Sequence, residues 1–180
     1  MTKLQKLKKL FNNYKIDGYI IPKNDEFFGE YVCDHNDRLN YISNFSGSFG
    51  FALILRRNNY LFVDGRYTLQ ANKESGSFFK IITIPKIMPN NLLKNKKFLI
   101  GFDPKLFTNK TLNIYFKKGN IRLKPLKNNL IDKIWKRKIK KNKNIFFRLP
   151  NQSVGTDYKS KIKKIESYLK KKGADFHFIT

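Results

Sequence analysis

Residues 51–73 read FALILRRNNYLFVDGRYTLQANK. Phe51–Leu55 is an unbroken apolar run, which predicts a strand buried on both faces rather than one side to solvent. Arg56–Asn59 reads as a hairpin turn, because Asn58 and Asn59 tolerate left-handed backbone. Tyr60–Val63 is then the returning strand. Asp64–Gly65 turns the chain into a helix near Arg66–Lys73, with Asp64 placed to accept the free N–H groups at its start. A hairpin that feeds directly into a helix predicts a sheet with at least one antiparallel pair and helices against its faces.

Outward from this stretch, helices and strands alternate. A helix over 3–15, with Leu4, Leu7, Leu10 and Phe11 on one face, leads to a strand over 18–22 that Pro22 closes. Lys23–Asn44 is polar and irregular and carries Asp25, Glu26, Glu30, Asp34 and Asp37. Gly47–Gly50 reads as a turn whose glycines allow a tight approach to the strand that follows. Beyond the hairpin come a strand over 78–84, a helix over 90–95, a strand over 97–102 and a helix over 110–117 with Gly119 just past its end. A strand over 121–126 and a short helix over 128–135, holding the lone tryptophan Trp135, complete the pattern. The expected fold class is α/β, a mixed β-sheet flanked by helices.

The opening of the chain is echoed near its end. Shifted by 158 positions, the Leu4, Leu7, Leu10, Phe11 face falls on Ile162, Ile165, Tyr168 and Leu169, and the strand Tyr19–Pro22 on His177–Thr180. The expected organisation is a domain over 1–135, a basic exposed connector over 136–155, and the first helix and strand of a second, similar domain over 156–180.

Composition narrows the function classes. With 41% hydrophobic residues, 17 Phe and 9 Tyr, the chain has ample material for a core. No apolar run approaches the roughly 18 residues needed to span a bilayer, and no secretory signal pattern follows the basic N-terminus. Cytoplasmic is therefore the expected location. The lone cysteine, Cys33, excludes an internal disulfide. The net charge of +25 suggests nucleic acid. However, of the 38 basic residues only seven are Arg, the residue on which base-reading surfaces lean. Abundant Lys, Asn, Ile, Phe and Tyr is also what a low-GC genome produces, so a nucleic-acid partner is not the expected one.

Catalytic material is scarce. Cys33–Asp34–His35, with Asp37 behind, is the only local cluster of metal-ligating types, and adjacent residues face different directions. The chain has two histidines, His35 and His177, which leaves little from which to build a triad. Ser46–Gly50 lacks the ending of a P-loop and leads into a strand instead of a helix, so it reads as a structural turn. The sharper feature is Val63–Tyr67. Here Arg66 is displayed beside a capped turn, with a planar fork suited to a carboxylate or a peptide carbonyl; an Arg–Asp surface pair is the plainer alternative.

Taken in order, GYIIP (18–22), Asp25, Glu30–Tyr31, Arg38, Phe45 to Gly50 and VDGRYTLQA (63–71) resemble the N-terminal domain of aminopeptidase P, the Xaa-Pro aminopeptidases built on the creatinase/prolidase plan. NLIDKIW (129–135) is similar to the element near the end of that domain, and Gly155–Lys161 resembles the opening of the family's second domain. Three positions depart from the pattern. Phe27 stands where the family has histidine, Gly29 where it has serine, and Asp157 where serine is typical. The resemblance implies a creatinase N-terminal fold followed by the truncated start of a second such domain. It also implies an enzyme family that cleaves before proline with two divalent metals, commonly manganese, in a C-terminal domain. No residue here matches those metal ligands, so no catalytic residue, metal residue or cofactor is expected in this chain. What the resemblance leaves to it is a non-catalytic role in subunit contacts and in a wall that narrows access to substrate. Arg66 is expected to face substrate with Tyr67 supporting it, and Asp25, Glu30, Tyr31, Asp64, Gly65 and Trp135 are the remaining motif residues. The partner is then another copy or a catalytic domain, with proline-containing peptides as substrate only in a complete enzyme. Two other readings stand beside this one: an assembly module for a separately encoded catalytic chain, and a nucleic-acid binder using the basic 86–148 segment.

Overall fold

The first helix, α1 (Lys3–Tyr14), starts at a capping box: Thr2 accepts from the Gln5 N–H while the Gln5 side chain accepts from the Thr2 N–H. It stops at Lys15, which turns left-handed at φ 49°. The computed structural model describes residues 1–94, 97–117, 120–137 and 147–178. They fall into two units, Met1–Ile139 and Lys140–Thr180.

In the first unit, β1 (Gly18–Pro22) follows α1, and α2 (Arg38–Ser43) precedes the hairpin β2 (Phe51–Leu55) and β3 (Asn59–Asp64). A single 3-10 turn, Gly65–Tyr67, opens α3 (Thr68–Ser75), which leads to β4 (Lys80–Ile84) and α4 (Pro89–Leu92). Next come β5 (Phe98–Phe102), a 3-10 turn at Pro104–Leu106, α5 (Asn109–Phe116), β6 (Ile121–Pro125) and α6 (Leu130–Ile134). The strands form one sheet in the order β4-β3-β2-β1-β5-β6. β2 runs antiparallel to both neighbours, and the other pairs are parallel. Five strands thus point one way and β2 the other, which is the mixed α/β sheet expected from sequence.

β1 and β2 lie in the middle, and every residue of both is buried. Their alternate side chains feed two cores. Tyr19, Ile21, Ala52 and Ile54 meet α1, α2, α3 and α6 on one face. Ile20, Phe51, Leu53 and Leu55 meet α4 and α5 on the other. There Phe51 stacks between Phe62 and Tyr115, with centroids 4.6 and 4.2 Å away. Each fully buried Leu, Ile or Phe is worth about 1.5–3 kcal/mol, so the central strands dominate stability while β4 and β6 close the edges.

Several sequence expectations shift. The hairpin turn is centred on Arg56–Arg57, closed by the Leu55 N–H on the Asn58 carbonyl at 2.8 Å. Neither asparagine is left-handed, so the side-chain tolerance of Asn58 and Asn59 is not what shapes it. The polar stretch before Asn44 contains α2, which Asp37 caps through the Asn40 N–H. Strand 78–84 begins two residues later, because Phe79 packs into the core as part of the turn leaving α3. Part of the expected helix 90–95 and Gly119 lie outside the described residues.

Among the described residues of the second unit, α7 (Asn151–Val154) and α8 (Tyr158–Lys172) are the helices. Asp157 caps α8, accepting from the Lys159 and Ser160 N–H groups, and Gly173 ends it at φ 62°. The strand expected over 177–180 does not form at His177 and Phe178; positions 179–180 lie outside the described residues. A lone strand finds no neighbour for its backbone groups.

Candidate functional site at the carboxyl edge of the sheet

Because five strands share a direction, their carboxyl ends and the amino end of β2 form a single edge. The loops that follow β1 and β3 and the loop that precedes β2 all meet there, tied by the Lys23 N–H donating to the Gly50 carbonyl at 2.9 Å. The motif residues between Asp25 and Tyr67 are brought to this edge.

Arg66 sits on the 3-10 turn after β3. Its Nη2 lies 2.7 Å from Asp64 Oδ2 and its Nε 3.2 Å from Oδ1, while its backbone N–H donates to Oδ1 at 2.9 Å. The guanidinium holds the Asp64 carboxyl below its ordinary pKa. The Arg66 side chain remains 76% exposed, with its guanidinium 5.5 Å from the Tyr67 ring. Asp64 thus fixes one side of the fork and leaves the rest open to solvent. The surface pair of Arg66 with Asp64 forms, and most of the arginine side chain is still exposed.

Tyr67 is held from two sides. Its hydroxyl shares a 2.6 Å hydrogen bond with Ser48, and its ring meets Phe45 edge-on at 5.9 Å. Ser46 completes the brace, its N–H and hydroxyl each donating to Glu74 at 2.8 Å, with the Gln70 amide donating to both. Burial alone would raise the Glu74 pKa, but these donors hold it below its ordinary value. The glycines of the loop serve close approach, not unusual φ. A Cβ on Gly47 would stand 2.3 Å from Phe45 and 2.9 Å from Tyr67, and one on Gly50 would meet the Phe62 carbonyl at 2.8 Å. At Gly65 a Cβ would meet nothing within 4 Å, so the turn leaves bare backbone facing solvent.

The other motif residues divide. Asp25 is buried and structural, accepting from the Phe27 N–H and from Asn36 Nδ2, both at 3.1 Å. Glu30 is exposed, and Tyr31 is 83% exposed beside exposed Phe27 and Phe28. Trp135 stacks on Tyr41 at 4.6 Å and carries the Arg137 guanidinium at 4.6 Å, and so anchors the end of the domain. Arg38 has a role that the sequence reading did not reach. Buried at α2, it donates to Asp132 from Nε and Nη2 at 2.9 and 3.0 Å and to Glu26 from Nη1 at 3.2 Å. Burial opposes its charge, but the Asp132 hydrogen bonds outweigh that and raise its pKa. It locks NLIDKIW to the loop after β1. The signal for it was an arginine in a lysine-rich chain, since only the planar fork can make three such bonds.

A profile of the Creatinase/Prolidase N-terminal domain matches residues 3–134. The chain belongs to this family. It is 32% identical over 198 residues to Xaa-Pro aminopeptidase 1 of Dictyostelium discoideum, an alignment covering 99% of this chain and 31% of that protein. Probable Xaa-Pro aminopeptidase P of Coprinopsis cinerea is 31% identical, with 96% of this chain and 30% of that one aligned. The chain therefore spans about three-tenths of the length of these curated relatives. Among solved structures, X-prolyl aminopeptidase of Caenorhabditis elegans superposes on 96% of this chain and 31% of its own length, with TM-score 0.73 and 26% identity. It is described as a cytosolic enzyme with a di-nuclear active site.

A two-metal centre of that kind does not fit the residues present. Among the described residues no three His, Cys, Asp or Glu side chains gather to hold a metal ion, and Asp25, Asp64, Glu74 and Asp132 are already bonded to Asn36, Arg66, Ser46 and Arg38. Nor, among them, is any helix long and apolar enough to cross a membrane.

Proposed function

We propose that this chain is the non-catalytic N-terminal portion of an Xaa-Pro aminopeptidase, and that its carboxyl edge forms a wall beside a peptidase centre carried by other residues. The observation that carries this reading is the braced presentation of Arg66. Asp64 holds one side of the guanidinium while most of the side chain stays in solvent, and Tyr67 is pinned beneath by Ser48. A fork so oriented can donate to a peptide carbonyl or carboxylate without rearranging. Gly65 and the exposed Phe27, Phe28 and Tyr31 add an open rim against which a covering domain can pack. A cytoplasmic location is in keeping with the cytosolic C. elegans relative.

With no metal-binding cluster among its described residues, the purified chain is expected to release no N-terminal residue from an Xaa-Pro peptide when Mn²⁺ is added. Metal-dependent turnover by the chain alone would overturn the reading.

A second reading is favoured by one element. Helix α8 presents Tyr158, Ile162, Ile165 and Tyr168, each at least 40% exposed, along one face. In an assembly module this face would be covered by a separately encoded catalytic chain, which would then co-purify with this one.

A further inference from the structure

The same edge of the first unit holds a second feature, away from Arg66. A cavity of about 380 Å³ opens where the chain leaves β5 and β6, and every residue lining it is charged or an amide. α5 packs on one face of the sheet and α6 on the other, so the chain parts to opposite sides after neighbouring parallel strands. Crevices at carboxyl ends beside such a divergence are where open α/β sheets bind ligands, and the volume suits a small one.

The charges in this cavity are unevenly satisfied. Its three carboxylates are all engaged. Asp132 and Glu26 take the Arg38 fork. Asp103, itself buried, accepts from Asn129 Nδ2 at 2.9 Å and from the Lys105 N–H at 3.0 Å. The lysines that line it, Lys105, Lys127 and Lys133, have no carboxylate partner among the described residues. Four basic side chains and three carboxylates line the cavity, a formal surplus of one positive charge, and the lysines border a polar space with the buried Arg38 guanidinium and Asn129 amide at its base.

We propose that this crevice binds a small phosphate-bearing anion, with Lys105 and Lys127 as the principal donors. The donor type selects phosphate over carboxylate. The one planar fork present, Arg38, is already consumed by Asp132, and the free groups are ammonium point charges that suit a tetrahedral dianion. The site is separate from Arg66 and does not rest on the peptidase reading.

Amide chemical shifts of the full chain, followed by NMR during addition of inorganic phosphate and, separately, of a simple phosphate monoester, test this. A saturable response confined to residues 103–105 and 126–129 is expected. Lys105→Ala/Lys127→Ala should weaken it about tenfold, with Lys105→Gln/Lys127→Gln as a second variant that keeps part of the stems. The control pair Lys163→Ala/Lys164→Ala on α8 should leave it within about twofold. Tighter binding of the monoester assigns the site to an organic phosphate, and equal binding assigns it to the free ion. The proposal is overturned if acetate at matched ionic strength gives the same shifts, if the response spreads over the lysines of the whole chain, or if the control pair weakens binding as much as the cavity pair.

Discussion

At the scale of single residues, Arg38 decides whether the edge holds together. Its side chain is 5% exposed, whereas Asp132 and Glu26 are each 36% exposed. Removing the cation leaves Glu26 without its partner and Asp132 with Arg137 alone in a partly dry site; breaking a buried pair costs about 3–5 kcal/mol. Their partial exposure places the expected value at the low end. Arg38→Met should therefore cost about 3 kcal/mol in urea unfolding, and Arg38→Lys should recover little of it, because a single ammonium cannot span both oxygens of Asp132 and reach Glu26. Full recovery by lysine would show that charge alone matters there. Glu74 supports a pH prediction. Its pKa is lowered in the folded state, so its contribution is present above the unfolded value, about 4.3, and is lost as pH falls through the folded one. Wild type should melt above Glu74→Gln at neutral pH, and the gap should close in acid. A gap that widened in acid would contradict the Ser46 brace. The placement of Arg66 and Tyr67 on a turn after β3 was legible in the sequence, since a strand followed by Asp–Gly is a local turn signal. The partners of Arg38 were not. Asp132 lies 94 positions away, and nothing local to either residue names the other.

At the scale of elements, continuous apolar runs read correctly and polar ones did not. Phe51–Leu55 is buried on both faces as its composition demanded. α2 was hidden in a polar stretch because it is six residues long and exists by virtue of its Asp37 cap and of Leu39 and Ile42 docking into the core. A helix so short has negligible stability alone, so its periodicity is too brief to see. α8 is the opposite case. Its amphipathic repeat was evident, its caps at Asp157 and Gly173 form, and yet none of its residues is buried. An unburied helix of 15 residues is marginal in water. Limited proteolysis should cut within α8 before it cuts any bond of β1–β6, leaving a product that contains the whole sheet. Equal protection of α8 and the sheet would mean that its apolar face is covered in solution.

At the scale of the whole molecule, the composition determined that a large core would form, and the alternation of elements determined an α/β sheet with one antiparallel hairpin. The order of motifs along the chain determined the creatinase/prolidase family, because turn chemistry such as Asp64–Gly65 is written in neighbouring residues. Only the tertiary structure decided the strand order, the gathering of the loops after β1, β3, β5 and β6 at one edge, and the cavity rimmed by Lys105 and Lys127. The physical reason is common to all three. Parallel pairing brings together strands far apart in sequence, as β1 meets β5 across 75 intervening residues. The groups that meet at their carboxyl ends carry no record of one another in the local pattern.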